Sequence, residues 1–113
     1  MNKKTADTLK KCGVPPHLLG YEYLGEAIEL VLEDRKLRHK TVKIYHHIAQ
    51  KFNSTYARVE RAMRHAIEVA FNNLSTKTAE ELFGNTSHFT KSCPTNSHFI
   101  AAVAEYIEYS NEG

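Results

Sequence analysis

Apolar residues recur along this chain at helical spacing, and no stretch sustains the alternation of apolar and polar residues that a β-strand needs. Residues that stop helices divide this pattern. Gly13 precedes a Val14-Pro15-Pro16 turn, and proline disfavours helix in the residue before it, while Gly84 closes a short helical stretch. The pattern predicts helices at residues 3–12, 17–34, 36–44, 45–52, 55–72, 79–83 and 97–109. We therefore expect an all-α fold, a compact bundle of about six helices that contains a helix-turn-helix.

The composition is that of one globular domain. The chain has 113 residues, 42% of them apolar, which is enough for one hydrophobic core, so we expect a single domain over residues 1–113. No apolar run approaches the roughly 18 residues that a membrane span needs, and the basic N-terminus lacks the apolar core of a signal peptide. These features predict a cytoplasmic protein without a membrane partner. Without an export signal, Cys12 and Cys93 are expected to be two free thiols.

The predicted core follows the helical stripes. The stripe of the helix at 17–34 contains Leu19, Tyr23, Ala27, Leu30 and Val31, and its opposite face is acidic. The helix at 45–52 is expected to turn Ile48, Ala49 and Phe52 inward. We also expect Tyr21, Tyr23, Tyr45 and Phe52 to be core residues rather than stacking platforms for single-stranded nucleic acid.

Positive charge is concentrated in residues 35–65, the segment RKLRHKTVKIYHHIAQKFNSTYARVERAMRH. This segment holds 9 of the 15 Lys and Arg residues and one acid, Glu60, so it carries +8 while the remaining residues sum to −6. The same segment has the pattern of a helix, a short polar turn at Asn53-Ser54-Thr55 and a second helix, with Ser54 or Thr55 suited to the N-cap. A basic helix-turn-helix indicates a phosphate backbone as the partner.

The long helix at 55–72 has two distinct faces. One face is apolar and contains Tyr56, Val59, Met63, Ala66, Ile67 and Ala70. The opposite face contains Arg58, Arg61, His65, Glu68 and Asn72, with Glu60 and Arg64 on its shoulder. In a helix-turn-helix the second helix enters the major groove, and the N-terminal half of that helix meets the base edges. The outward face is therefore a candidate reading surface, although a charged face of an arbitrary helix is usually only solvated.

The candidate base-reading residues are Glu60, Arg61, Arg58, Arg64 and His65. An arginine fork can donate two hydrogen bonds to a guanine edge, and a glutamate can accept one from cytosine N4. An acid within a basic helix is unfavourable near phosphates, so Glu60 indicates base reading. Glu60 could also pair with Arg64 four residues later, and both roles are compatible.

Four stretches of the chain resemble a known family. IAQKFNSTYARVERAMRHAIEVAF is similar to the helix-turn-helix of the stage 0 sporulation protein A family, the sporulation response regulators of endospore-forming bacteria. GVPPHLLGYEYLGEAIELV resembles the opening helices of that family's C-terminal effector domain, and LFGNT and PTNSHFIAAVAEYI resemble its end. The resemblance covers about residues 9–107.

The resemblance implies a specific function. Family effector domains are all-helical, bind short TGTCGAA-like boxes in double-stranded DNA, occupy tandem boxes as head-to-tail homodimers and contact RNA polymerase sigma factors. It places Glu60 and Arg61 at base-reading positions, with Arg58, Arg64 and His65 beside them, and Lys51 at a phosphate contact. Ser54, Thr55 and Lys43 complete the predicted phosphate-binding set. Residues 74–88 correspond to the polymerase-facing surface, and the last helix corresponds to the dimer contact.

The chain also departs from the family pattern. It contains neither the receiver domain nor the linker, so we expect an isolated effector fragment or a natural relative without a receiver. His46 stands where the family usually has proline, Ala57 replaces a small hydroxyl residue and Phe71 replaces tryptophan. Residues 73–81 match poorly, which weakens the expectation of polymerase contact more than that of DNA binding.

Other functions are less well supported by the residues. The seven histidines show no HxxxH or HExxH spacing, and no catalytic or nucleotide-binding motif is present, so neither a metal nor an enzymatic activity is predicted. His46 and His47 could instead lie near DNA phosphates, where protonation would add charge. The alternative function is a protein-interaction module without a receiver, which would modulate a full-length regulator by heterodimerisation.

Overall fold

A computed structural model of the protein describes residues 1–84 and 93–112. The described residues form six α-helices and no strand, which confirms the predicted all-α bundle. The helices are α1 (Lys3–Lys11), α2 (Leu19–Glu33), α3 (Thr41–Lys51), α4 (Tyr56–Asn73), α5 (Thr76–Phe83) and α6 (Asn96–Glu112), with a short 3₁₀ helix at Arg35–Leu37 between α2 and α3.

The prediction of separate helices at 36–44 and 45–52 was wrong. Only Arg35–Leu37 is helical at the start of this region, as a 3₁₀ turn, and α3 then runs without a break through the predicted boundary. The real break is at Lys40, whose backbone (φ −107°, ψ 58°) is not helical. No proline or glycine interrupts the following residues, and Ile44 and Ile48 lie on one buried face of the continuous helix.

Side-chain caps and glycines set the helix ends. The side chains of Asn2, Thr55 and Ser75 each accept a hydrogen bond from the backbone N–H three residues later, which caps α1, α4 and α5. Gly13 (φ 89°) and Gly84 (φ 84°) lie in the left-handed region that glycine adopts without steric cost. The predicted N-cap of the long helix and both predicted glycine stops are confirmed.

Helix α2 is the centre of the bundle, because it packs against α1, α3, α4 and α6. Its fully buried residues include Leu24, Ala27, Ile28 and Val31. The prediction that Leu19 belongs to this stripe was wrong. Leu19 is 58% exposed at the first residue of the helix, and its side chain lies outside the crossing with α4 that begins at Gly20.

Phe52 was also predicted to face inward, but it is 37% exposed. It lies at the C-cap of α3, where its ring packs edge-to-face with Tyr23 at 5.4 Å between centroids. Tyr21, Tyr23 and Tyr45 are buried, as predicted.

A glycine allows α2 to cross α4 closely. A Cβ added to Gly20 would lie 2.2 Å from the carbonyl oxygen of Ala62 and 2.6 Å from the Cβ of Ala66. Only a residue without a side chain fits this crossing, so Gly20 fixes how far α4 sits from the centre of the bundle. Among the described residues, no helix is long and apolar enough to cross a membrane.

Candidate nucleic-acid interface

Helices α3 and α4 are joined by the tight turn Phe52–Thr55. Asn53 adopts a positive φ of 52°, a conformation that asparagine tolerates better than most residues. The backbone N–H of Ser54 donates to the carbonyl of Ala49 at 2.8 Å, which closes the turn onto the end of α3. Thr55 then caps α4 through Oγ1, which accepts from the N–H of Arg58 at 3.2 Å. The sequence N-S-T therefore supplies the turn and the start of the next helix.

Helix α4 has one face in the core and one face in solvent. The buried side contains Val59, Met63, Ala66, Ile67 and Ala70, as predicted. The exposed side contains Arg58, Arg61, Arg64, His65, Glu68 and Asn72. Tyr56 departs from the predicted division, since it is 38% exposed at the first turn of the helix. The structure therefore brings four of the five candidate base-reading residues together on one exposed surface.

Glu60, the fifth, lies at the edge of this surface and pairs with Arg64. Nη1 of Arg64 donates to Oε1 of Glu60 at 2.8 Å, the i, i+4 pair that the sequence left open as an alternative. Both side chains are partly exposed, so the pair contributes little to stability and can exchange for other partners. Within the described part of the chain, neither Arg58 nor Arg61 forms an ion pair.

Lys51, the predicted phosphate contact, is held by a carboxylate of α2. Its Nζ lies 2.7 Å from Oε1 of Glu26, and this hydrogen bond raises the pKa of Lys51 above its ordinary value. Nε2 of His47 lies 3.8 Å from the other oxygen of Glu26, close enough to pair when the ring is protonated. The sequence showed Glu26 only as a member of an acidic face, so its proximity to Lys51 was missed.

The other predicted phosphate-binding residues surround the same helix ends. Lys43 is exposed in the first turn of α3, Ser54 is partly exposed in the turn, and Thr55 is exposed at the start of α4. His46 and His47 are both exposed, and the ring of His46 lies 5.1 Å from that of Tyr56.

A polar contact lies behind the exposed face of α4. Nδ2 of Asn96, at the first residue of α6, donates to Oη of Tyr45 at 2.9 Å and to the backbone carbonyl of Glu60 at 3.1 Å. The last helix was predicted to begin at residue 97, and no contact was predicted for Asn96. Its spacing to Phe99, Ile100 and Val103, which are all buried, would have placed it on the inner face of α6.

Comparison with protein-family models matches residues 5–107 to the family described as Sporulation initiation factor Spo0A C terminal. The chain belongs to this family. The match confirms the resemblance stated from the sequence, and it shows a DNA-binding domain of a sporulation regulator, which is not an enzyme family. The matched residues of the Spo0A C-terminal family include all of α2, α3, α4 and α5, and most of α1 and α6.

The surfaces that the Spo0A C-terminal resemblance assigns to protein partners are partly described. Of residues 74–88, the described part contains α5, and residues 85–88 lie outside the described residues. Helix α5 is tied to the bundle through Glu81, which pairs with Lys11 at 2.7 Å. On α6, Tyr106 is half-buried and its hydroxyl accepts from Lys11, whereas Tyr109 is 79% exposed.

Both cysteines are free, as predicted. Cys12 is fully buried beneath α4, α5 and α6, and burial raises its pKa to about 12. Cys93 is exposed and lies far from it in the sequence.

Proposed function

We propose that this chain is a transcription regulator of sporulation-type genes that reads double-stranded DNA by sequence. In this proposal α4 lies in the major groove of TGTCGAA-like boxes, and residues 1–113 act as one effector domain. The observation that carries the proposal is the division of α4. Its inner face is fixed in the core, while Arg58, Arg61 and Arg64 stand together on the exposed face.

The proposed base-reading residues are Arg58, Glu60, Arg61, Arg64 and His65. Arg61 is the best candidate for a bidentate contact with guanine, because its guanidinium is exposed and forms no ion pair among the described residues. Glu60 and Arg64 would exchange their mutual hydrogen bond for base edges. This exchange is inexpensive because an exposed i, i+4 pair contributes only about 0.3–0.5 kcal/mol.

The proposed phosphate-binding residues are Lys51, Ser54, Thr55 and Lys43. Phosphate contacts position a protein on the duplex without reading sequence, and they account for the salt dependence of binding. Lys51 must loosen its bond to Glu26 to reach a phosphate. Membership of the family also supports two proposed partners, a head-to-tail homodimer on tandem boxes and an RNA polymerase sigma factor.

The proposal is tested by fluorescence anisotropy with a duplex that carries a TGTCGAA-like box and a scrambled duplex of the same composition, at several salt concentrations. We expect the cognate duplex to bind about 10³-fold more tightly or better, with affinity for both duplexes falling steeply as salt rises. Equal, salt-sensitive binding to both would retain the phosphate contacts and reject the base-reading assignment. Binding to neither would reject the proposal and favour the heterodimerisation alternative, which cross-linking to a full-length relative would then test.

A further inference from the structure

A single buried amide connects the N-terminus of α6 to both helices of the proposed DNA-binding unit. Asn96 is 8% exposed and occupies the first position of α6, next to Thr95, whose Oγ1 accepts from the N–H of His98 at 3.2 Å. Its side-chain Nδ2 donates two hydrogen bonds, one to the hydroxyl of Tyr45 on α3 and one to the carbonyl of Glu60 on α4. One side chain thus joins three helices at the edge of the exposed face of α4.

The contact with α4 is made to the backbone and is directional. The carbonyl of a helical residue already accepts from the N–H four residues later, and its second lone pair is free for another donor. Asn96 supplies that donor at Glu60, the residue whose side chain lies at the edge of the reading surface. Apolar packing allows small sliding movements between helices, whereas a hydrogen bond at 3.1 Å restricts both distance and angle.

The other hydrogen bond of Asn96, to Tyr45, fixes the position of α3 relative to α4. The ring of Tyr45 packs edge-on against Tyr56, with 5.1 Å between centroids, so the hydroxyl that meets Asn96 belongs to a side chain that also touches the first turn of α4. A tyrosine hydroxyl is neutral at physiological pH, and burial raises the pKa of Tyr45 further.

We propose that Asn96 is a positioning residue for sequence reading: it fixes α4 against α3 and α6 so that Glu60 and Arg61 meet the base edges in register. The inference rests on the proposed function, since it assigns a role in DNA discrimination to a residue that does not reach DNA. Base-reading groups lose their hydrogen bonds when they are displaced by much more than about 0.5 Å, whereas phosphate contacts through long lysine side chains adapt to such a shift. The loss of Asn96 should therefore affect specificity more than general affinity.

The decisive variant is Asn96→Asp, which keeps the shape of the side chain but removes both N–H donors. Its carboxylate can still accept from Tyr45, whereas it repels the Glu60 carbonyl. We expect affinity for the cognate duplex to fall about tenfold, which is the order of magnitude expected for the loss of one hydrogen bond between uncharged groups. Affinity for the scrambled duplex should fall by a much smaller factor, because no phosphate contact is lost and only the added negative charge opposes binding. Tyr45→Phe removes only the hydroxyl. It should also lower the ratio of cognate to scrambled affinity, but by a smaller factor.

A buried residue elsewhere on α6 supplies the control for stability. Ile107 is 2% exposed and has no polar contact with α4, so Ile107→Val lowers stability without altering the Glu60 carbonyl. Thermal unfolding of each variant gives its folded fraction at the binding temperature. If Ile107→Val keeps the specificity ratio while Asn96→Asp lowers it at the same folded fraction, the positioning role is supported.

Three other results would overturn the inference in different ways. A wild-type chain that discriminates, combined with an Asn96→Asp variant that retains the full ratio, rejects the positioning role alone. A parallel loss on both duplexes that follows the unfolded fraction makes Asn96 a stabilising residue only. A wild-type chain that does not discriminate rejects the proposed function itself, before any variant is compared.

Discussion

Substitution of single side chains on α4 can distinguish base reading from general attraction to the DNA charge. Arg61 is exposed and unpaired among the described residues, so Arg61→Ala removes a candidate base contact without breaking an ion pair of the folded protein. We expect a loss of about 1–3 kcal/mol on the cognate box and relaxed preference at one base pair, measured by anisotropy with single-base variants of the box.

Lys43→Ala is the matched comparison, because it also removes one exposed cation but from a proposed phosphate contact. It should weaken all duplexes by similar factors and make the salt slope shallower by about one. Base reading by Arg61 is ruled out if Arg61→Ala behaves in the same uniform way.

The pair Lys51–Glu26 predicts that removing an acid strengthens DNA binding. Glu26 holds Nζ of Lys51 at 2.7 Å, so it competes with DNA phosphates for the same ammonium group. Glu26→Gln should tighten binding to cognate and scrambled duplexes alike and steepen the salt slope by up to about 0.9, because Lys51 then contacts its phosphate without a competing carboxylate. The measurement is the slope of log affinity against log salt.

Glu22→Gln tests whether this effect depends on the contact. Glu22 lies one turn earlier on α2, is exposed, and forms no ion pair with Lys51, so the change in net charge is the same. Equal slopes for the two variants would show a general charge effect and contradict competition between Glu26 and phosphate.

At the scale of elements, the crossing of α2 over α4 is the most sensitive contact of the fold. Gly20→Ala would place a Cβ 2.2 Å from the Ala62 carbonyl, and helix backbone cannot move away as a flexible side chain can. The gain in helix propensity is about 0.5–1 kcal/mol, whereas overpacking costs about 1–3 kcal/mol or more, so destabilisation wins. Urea unfolding should therefore show a net loss of stability.

Gly25→Ala is the control within the same helix. The three atoms nearest to its added Cβ all belong to the side chain of Met1, with 2.0 Å to the terminal methyl, and that flexible chain end can move aside. This variant should be neutral or stabilised by up to about 1 kcal/mol, because only the propensity term remains. If both variants lose stability equally, the loss comes from glycine replacement in α2 and not from the crossing.

Local sequence signals predicted most elements, since caps and stops are encoded within a few residues. Thr55 begins α4 and Gly84 ends α5 as predicted, because the Thr55 side chain caps the helix and Gly84 has no side chain to oppose a positive φ. The predictions for Leu19 and Phe52 were wrong because burial at a helix end depends on which other helix packs against it. Helical spacing alone does not contain that information. The contacts of Gly20 and Asn96 were missed for the same reason, because their partners lie on other helices and far away in the sequence.

At the scale of the whole molecule, positive charge is concentrated in one segment, whereas the hydrophobic core is shared by all the described α-helices. Residues 35–65 carry +8 and the rest of the chain carries −6, while a single apolar cluster runs through all six described α-helices. A field of this kind orients the protein toward DNA before any specific contact forms, and salt weakens that effect. Stability, in contrast, depends mainly on the shared core, so the six helices should unfold together.

Cys12 reports this cooperative unfolding directly. Its thiol is fully buried and its pKa is raised to about 12 by desolvation, so both access and thiolate formation are suppressed in the folded state. We expect a thiol reagent to label exposed Cys93 first and Cys12 only through global opening. The logarithm of the Cys12 rate should rise with urea at the slope given by equilibrium unfolding. Gly20→Ala should accelerate it about tenfold for each 1.4 kcal/mol of lost stability. A shallow urea dependence would instead show that α1 opens locally while the rest of the core remains folded.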